Sequence, residues 1–170
     1  MTIVRTSGTA SVTDKGILTD GPGGGRREFL TFTVGRQTFG LPLGAVDDVL
    51  DERPLTPVPL APAEVAGSIN LRGRIITAID VRRCLGMPKA APNAAHMSIV
   101  TEHDGELFSL VVDAVGEVIA VSEGFHEDNP VTLDEHWRGF SAGIYRLESD
   151  LMVVLEVGPL LDGIEAAAGN

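Results

Sequence analysis

Residues 67–83 of the chain have the sequence GSINLRGRIITAIDVRR. Apolar residues on both sides of the segment Arg72–Arg74 predict two short strands that are joined by a tight turn. Asp80 stands where the N-cap of a helix belongs, and Gly86 stands where a left-handed residue ends one. The stretch therefore predicts a β-hairpin that leads directly into a short helix.

The sequence before this hairpin predicts a second hairpin and an extended segment. Residues 29–34 alternate apolar side chains with threonine, and residues 37–41 return as a partner strand after a Gly-Arg turn. Prolines within residues 54–62 exclude a helix or a central strand there. Between these segments, four apolar residues fall at helical spacing and predict one short amphipathic helix: Leu43, Val46, Val49 and Leu50.

The sequence after the hairpin is again typical of short strands. The apolar runs 97–101 and 107–112 flank an Asp104-Gly105 turn signal, which predicts a further hairpin. Other strands are predicted at 115–121, 144–147 and 151–157. With about nine or ten short strands and only minimal helices, the pattern favours mainly β barrels or a sandwich over a parallel α/β sheet.

The two ends of the chain are predicted to lie outside the folded domain. Residues 1–27 are rich in Thr, Ser, Gly and Asp and offer little apolar surface to bury, which is typical of a flexible N-terminal arm. Its glycine run is followed by Arg26-Arg27 rather than by the Lys-Ser or Lys-Thr of a phosphate-binding loop. We therefore expect a folded domain over residues 28–162 and a C-terminal tail over residues 163–170.

The balance of charge narrows the class of partner. The chain has 170 residues with 24 acidic and 13 Lys or Arg side chains, and its formal net charge is −11. Such a surface repels nucleic acid and anionic lipid. No apolar run approaches the length of a membrane span, and no signal peptide is visible. We expect a cytoplasmic protein that does not bind nucleic acid or insert into a membrane.

Residues that could carry catalysis or hold a metal are few. The single Cys84 excludes an intramolecular disulfide and a cysteine-based zinc site, and a buried structural thiol is the ordinary outcome. The histidines lack the spacing of a zinc site, so no metal or cofactor is expected. An enzyme or a small-molecule-binding barrel is an alternative, and it needs a cleft with convergent polar groups, such as one lined by His126 and His136.

One group of closely spaced polar residues remains, in the turn of the hairpin that contains Arg72. Asn70 and Gly73 flank Arg72, and Arg74 follows directly. A guanidinium held on a rigid turn suits an interface with another protein. A turn with incidental solvated arginines fits the same residues equally well.

Several ordered motifs resemble the CheW family, the adaptor proteins of bacterial chemotaxis arrays. Residues 67–73 are similar to that family's Gly-x-x-Asn-Leu-Arg-Gly motif, and residues 80–82 are similar to the Asp-Leu-Arg that follows its next apolar strand. The long N-terminal arm and the added Arg74 depart from the family pattern. The resemblance covers residues 28–162, with further matches at residues 28–35, 39–42, 110–118, Gly143 and 151–155.

Membership would imply a mainly β fold of two small five-stranded SH3-like β-barrels packed side by side, with a few short helices. It would also imply a non-enzymatic adaptor that couples the regulatory domain of a CheA-type histidine kinase to the cytoplasmic tip of methyl-accepting chemoreceptors in membrane-associated arrays. An adaptor of a different chemosensory-type pathway, such as pilus motility, is the alternative. By position, the resemblance assigns six residues to the receptor groove: Val46, Val49, Gly67, Asn70, Arg72 and Gly73.

Overall fold

The computed structural model of the chain describes residues 25–148 and 150–168. In that part of the chain there are ten strands and three helices. The strands are β1 (Arg26–Val34), β2 (Gln37–Pro42), β3 (Asp48–Leu50), β4 (Val65–Leu71), β5 (Arg74–Asp80), β6 (Met97–His103), β7 (Glu106–Val112), β8 (Ala114–Ser122), β9 (Ser141–Arg146) and β10 (Leu151–Leu155). The helices are α1 (Val81–Cys84), α2 (Glu135–Arg138) and α3 (Val157–Ala168), and two 3-10 turns cover Leu43–Ala45 and Glu123–Phe125.

The strands form two five-stranded sheets that share one pattern of strand directions. Sheet 1 has the order β8-β1-β2-β10-β9, and sheet 2 has the order β3-β6-β7-β5-β4. In each sheet one pair is parallel, β2 with β10 in sheet 1 and β5 with β7 in sheet 2, and the other pairs are antiparallel. Sheet 2 comes from one continuous stretch of chain, whereas sheet 1 combines strands from both ends. The prediction of a mainly β fold with two five-stranded units is confirmed.

Each sheet has an apolar cluster of its own, and a third, larger cluster holds the two sheets together. Neighbouring residues of β10 show the arrangement, because Met152 joins a cluster that belongs to sheet 1 and Val153 joins the largest cluster. The largest cluster contains residues of both sheets, such as Phe39 of β2 and Leu110 of β7, and so it lies between them. Since successive side chains of a strand point to opposite faces, apolar residues on both faces let each sheet form its own interior and also pack against the other sheet.

Each sheet curves until its two edge strands share a core. In sheet 2, Leu50 of β3 and Ile69 of β4 belong to one cluster although these strands are at opposite edges. In sheet 1, Ile119 of β8 and Tyr145 of β9 are related in the same way. Curvature of this kind is what two small barrels packed side by side require.

The amphipathic helix predicted over residues 43–50 is wrong. Only a 3-10 turn forms at Leu43–Ala45, Val46 is extended with φ −96° and ψ 119°, and Asp48–Leu50 become β3. β3 pairs with β6, and the Asp47 N–H donates to the Val100 carbonyl oxygen at 2.8 Å. Over so few residues the apolar spacing fits a strand as well as a helix, and pairing with a distant strand decides between them.

Two elements extend past the predicted domain boundaries. The sequence assigns Arg26 and Arg27 to the N-terminal arm, but both residues pair with β8 as the first residues of β1. At the other end, α3 runs from Val157 to Ala168 across the predicted boundary at residue 162. The prediction of a flexible arm falls otherwise on residues 1–24, which lie outside the described residues.

Candidate functional site

The arginine-bearing turn between β4 and β5 is a two-residue hairpin turn in the left-handed region. Arg72 has φ 52° and Gly73 has φ 86°. Glycine accepts this conformation at little cost, but it is unfavourable for arginine. The Asn70 side-chain oxygen Oδ1 accepts a hydrogen bond from the Gly73 N–H at 3.0 Å, which holds the turn closed. The turn therefore presents the Arg72 side chain from a fixed backbone.

The Arg72 side chain is tied to a carboxylate of the opposite edge strand. Its Nη2 donates to Oδ2 of Asp48 in β3 at 2.8 Å. The other carboxylate oxygen of Asp48 accepts the Val49 N–H at 2.8 Å. The Asp48 side chain is only 9% exposed, whereas the Arg72 side chain is 75% exposed. A nearly buried carboxylate thus orients a guanidinium whose other donors face solvent.

Asp48 is a site residue that sequence reasoning missed. Read as part of a helix, Asp48 lies on the polar side between Val46 and Val49. Read as part of a strand, it lies on the same face as Leu50, which points into the core of sheet 2. A carboxylate on a core-facing strand position needs a cationic partner, but this signal is visible only once Asp48 is known to lie in a strand.

The two predicted valines flank this ion pair. Val46 and Val49 are both half-buried and pack against the cluster between the sheets. Part of each side chain therefore remains open to a partner. Asp48 lies between them in sequence and contacts Arg72, so it links the stretch that holds Val46 and Val49 to the turn that holds Asn70, Arg72 and Gly73. The Val49 side chain itself lies on the opposite face of β3 from Asp48.

Gly67 differs from the other five predicted residues because it is buried. It lies at an irregularity in the pairing of β4 with β5, and its φ is +148°. A Cβ at this position would lie 2.6 Å from the carbonyl oxygen of Thr56. The Thr56 N–H donates to the Ser68 carbonyl oxygen at 2.9 Å, and the reciprocal bond is 2.8 Å. Gly67 thus allows the proline-rich segment to cover the edge of β4.

The outer face of the same hairpin carries an exposed apolar side chain. Ile75 of β5 is 69% exposed and pairs directly with exposed Asn70. Arg74 is exposed beside it. By sequence Ile75 is an ordinary apolar strand residue, and only the folded hairpin shows that it points outward. The turn therefore combines guanidinium donors with an apolar contact, as the centres of protein interfaces commonly do.

The residues weighed for catalysis have packing roles in the structure. Burial, together with the charges of Glu64 and Asp80, raises the pKa of the Cys84 thiol to about 12, so it stays protonated and poorly nucleophilic at neutral pH. His126 Nε2 lies 2.7 Å from the carbonyl oxygen of Ala142, and His136 Nε2 lies 3.0 Å from that of Cys84. Each imidazole is thus bound to a separate stretch of backbone.

Among the described residues, no helix has both the length and the apolar character needed to cross a membrane.

Comparisons with known proteins agree with this architecture. Residues 28–165 match the family described as CheW-like domain. The chain is 33% identical over 144 residues to the chemotaxis protein CheW of Rhizobium meliloti, covering 85% of this chain and 93% of that protein. It is 29% identical over 123 residues to Protein PilI of Pseudomonas aeruginosa, covering 72% of this chain and 68% of that protein.

A solved structure shows the same fold. The crystal structure of the scaffolding protein TtCheW from Thermoanaerobacter tengcongensis superposes with a TM-score of 0.71 at 29% identity, covering 80% of this chain and 92% of that one. The family match spans both sheets and the hairpin that carries Arg72, because it runs through nearly all of the described residues. The chain belongs to the CheW-like domain family.

Proposed function

We propose that the chain is a non-enzymatic adaptor that couples a CheA-type histidine kinase to methyl-accepting chemoreceptors. The observation that carries the proposal is the Arg72 turn, a family motif that here presents an oriented guanidinium beside exposed apolar surface. The protein binds the regulatory domain of the kinase and the cytoplasmic tip of the receptor, needs no cofactor, and works in the cytoplasm at membrane-associated arrays.

The receptor surface is proposed to include the half-buried Val46 and Val49 and the turn residues Asn70, Arg72 and Gly73. A helical receptor tip covers an apolar strip, which the two valines supply, and it places polar or acidic groups at the rim, where Arg72 has donors to spare. Because Asp48 already orients the guanidinium, less side-chain entropy is lost on binding. The buried Gly67 acts indirectly, by seating the proline-rich segment beside this surface.

Modest individual contacts are sufficient for such a role. In an array each adaptor is held near several partners at once, and this proximity raises the effective concentration of every contact. A moderate affinity at the Arg72 turn therefore supports stable coupling without a large, strongly apolar interface. The formal net charge of −11 directs this coupling toward partners that present basic or neutral surface elsewhere.

Co-purification with the cognate kinase and a receptor signalling fragment tests the proposal. We expect the chain to retain both partners, and we expect Arg72→Gln to lose most of the receptor fragment while it keeps the kinase. Arg36→Gln is the matched control, because Arg36 is also exposed at a hairpin turn but belongs to sheet 1. If the unaltered chain retains neither partner, the adaptor role is contradicted. If Arg72→Gln and Arg36→Gln capture the receptor fragment equally, the proposed receptor surface is contradicted.

An adaptor of a different chemosensory-type pathway, such as pilus motility, is the second candidate. The likeness to Protein PilI is consistent with it. The two candidates share the fold and the coupling role and differ in the kinase that is bound. Capture of kinases from the native cell extract, followed by identification of the kinase and of its neighbouring genes, separates them.

A further inference from the structure

Sheet 2 has a cavity at the end of the β4–β5 hairpin that is remote from the Arg72 turn. Its volume is about 290 Å³. Val65 at the start of β4, Asp80 at the end of β5 and Asp113 after β7 line one side, and the alanine- and proline-rich loop 89–95 lines the other. This volume is at the lower end of the range of small-molecule pockets. The cavity is therefore suited to a small ligand rather than to a protein segment.

Three basic side chains line the cavity. They are Arg82 of α1, Lys89 of the loop and His96 directly before β6. The acidic residues of the lining already have partners within the protein. Asp80 Oδ1 accepts the Arg82 backbone N–H at 3.0 Å, and Asp113 Oδ2 accepts the Gly35 N–H at 2.7 Å and Arg82 Nη2 at 2.6 Å. The lining thus holds three basic side chains against two carboxylates, and both carboxylates already accept hydrogen bonds from the protein.

Two nitrogens of these basic side chains lack a hydrogen-bond partner. Within the described part of the chain, Arg82 Nε and His96 Nε2 are both buried and unpaired. A buried donor without a partner costs about 1–3 kcal/mol, and native proteins rarely leave one so. Arg82 Nε can only donate, so what completes it is an acceptor oxygen. Two such nitrogens on side chains of one cavity point to an anionic ligand more strongly than either alone.

We infer that this cavity is a binding site for a small anion that carries a carboxylate or a phosphate group. The anion oxygens accept hydrogen bonds from Arg82 Nε and from a His96 Nε2–H group, and the Lys89 ammonium adds positive charge to the lining. Both unpaired nitrogens are covered by protein atoms, so binding includes a small local shift of the lining that exposes them. The site is at the opposite end of the hairpin from the proposed receptor surface and does not depend on the adaptor role.

Nuclear magnetic resonance of the full chain labelled with ¹⁵N tests this inference, because the Nε–Hε group of an arginine gives its own resonance. The probes are sodium phosphate and sodium malonate at constant ionic strength, with sodium chloride as the reference. We expect a saturable shift of the Arg82 Nε–Hε resonance with at least one probe. The probe that causes it distinguishes a phosphate ligand from a carboxylate ligand. A shift that stays linear and equal to that in chloride overturns the inference.

Variants locate the anion. Replacing Lys89 and His96 together by Gln is expected to weaken binding about tenfold, since charge-assisted hydrogen bonds are lost. Arg83→Gln is the matched control, because Arg83 is next to Arg82 on α1 but does not line the cavity. Unchanged affinity of the double variant overturns the inference. Should that variant unfold, slower hydrogen exchange of Arg82 Hε in the unaltered chain on adding the active probe provides the same test, and unchanged exchange counts against the site.

Discussion

Two turns of sheet 2 have nearly the same backbone and opposite uses of their side chains. The β4–β5 turn has φ 52° at Arg72 and 86° at Gly73, and the β6–β7 turn has φ 53° at Asp104 and 81° at Gly105. Both are two-residue hairpin turns of the kind in which Asp-Gly is a preferred pair. Arginine is the less favourable residue at the first position, so its presence in one turn only suggests a role for the side chain.

The contacts of the two side chains support that distinction. The side chains of Arg72 and Asp104 are each 75% exposed. Asp104 contacts His103, its neighbour in the chain, at 3.4 Å between Oδ2 and Nε2, whereas Arg72 reaches across to Asp48 of the opposite edge strand at 2.8 Å. The Asp104 carboxylate therefore contacts a residue of its own hairpin, and it is His103 that reaches α3, with Nε2 2.8 Å from Asp162 Oδ1. The β4–β5 turn also joins the two edges of sheet 2 and fixes the direction of its arginine.

The largest expected loss of stability comes from substituting Gly67, the buried glycine of the β4–β5 hairpin, rather than the turn glycine Gly73. Gly67→Ala places a Cβ 2.6 Å from the Thr56 carbonyl oxygen at a φ of +148°, so backbone must shift. We expect the free energy of unfolding to fall by about 3 kcal/mol, with loss of the Thr56–Ser68 pairing. Urea unfolding measures the loss. A change no larger than that of Gly73→Ala would show that the proline-rich segment yields easily and does not depend on Gly67.

The next largest loss of stability is expected when the Arg72–Asp48 ion pair, which links the two edges of sheet 2, is broken. Arg72→Glu removes the partner of the nearly buried Asp48 carboxylate and adds a second negative charge near it. We expect the free energy of unfolding to fall by about 2 kcal/mol. Arg74→Glu makes the same charge change one position after the turn, on an exposed side chain, and is expected to cost no more than about 0.5 kcal/mol. Equal losses in thermal unfolding would mean that the Arg72–Asp48 pair contributes nothing specific.

A smaller effect tests whether the two turn backbones are equivalent. For Gly73 and for Gly105, no atom lies within 4 Å of an added Cβ, and φ is positive at both. Gly73→Ala and Gly105→Ala are therefore each expected to cost about 1 kcal/mol from backbone conformation alone. Urea unfolding of the two variants side by side checks this. If the losses of the two variants differ by more than about 1 kcal/mol, the two turns differ in more than their side chains.

The local features of this site could be predicted from the sequence, and the long-range ones could not. The hairpin around Arg72-Gly73 and the N-cap at Asp80, which accepts the Arg82 N–H at 3.0 Å, follow from turn and capping chemistry within a few residues. β3 could not be predicted in this way, because pairing with β6 decides it. The Asp48–Arg72 pair was also out of reach, since it forms only when sheet 2 curves and brings β3 and β4 together.

The cavity could not be predicted either, because its basic side chains come together only through long-range strand pairing. Arg82, Lys89 and His96 are separated by loop residues of low sequence complexity, and their spacing matches no known ligand pattern. The parallel pairing of β5 with β7 sets Asp80 beside Val111 and so brings these side chains around one space. By contrast, the resemblance points directly to the β4–β5 hairpin because its motif is contiguous.

The affinity for a receptor signalling fragment tests the central comparison most directly. Asparagine tolerates the left-handed region, so Arg72→Asn and Asp104→Asn both keep their turns while they remove the charged side chain. Isothermal titration calorimetry with the same fragment should give a Kd about tenfold weaker for Arg72→Asn and unchanged for Asp104→Asn. Equal affinities for the two variants and the unaltered chain would contradict the assignment of the Arg72 turn as the receptor-binding turn.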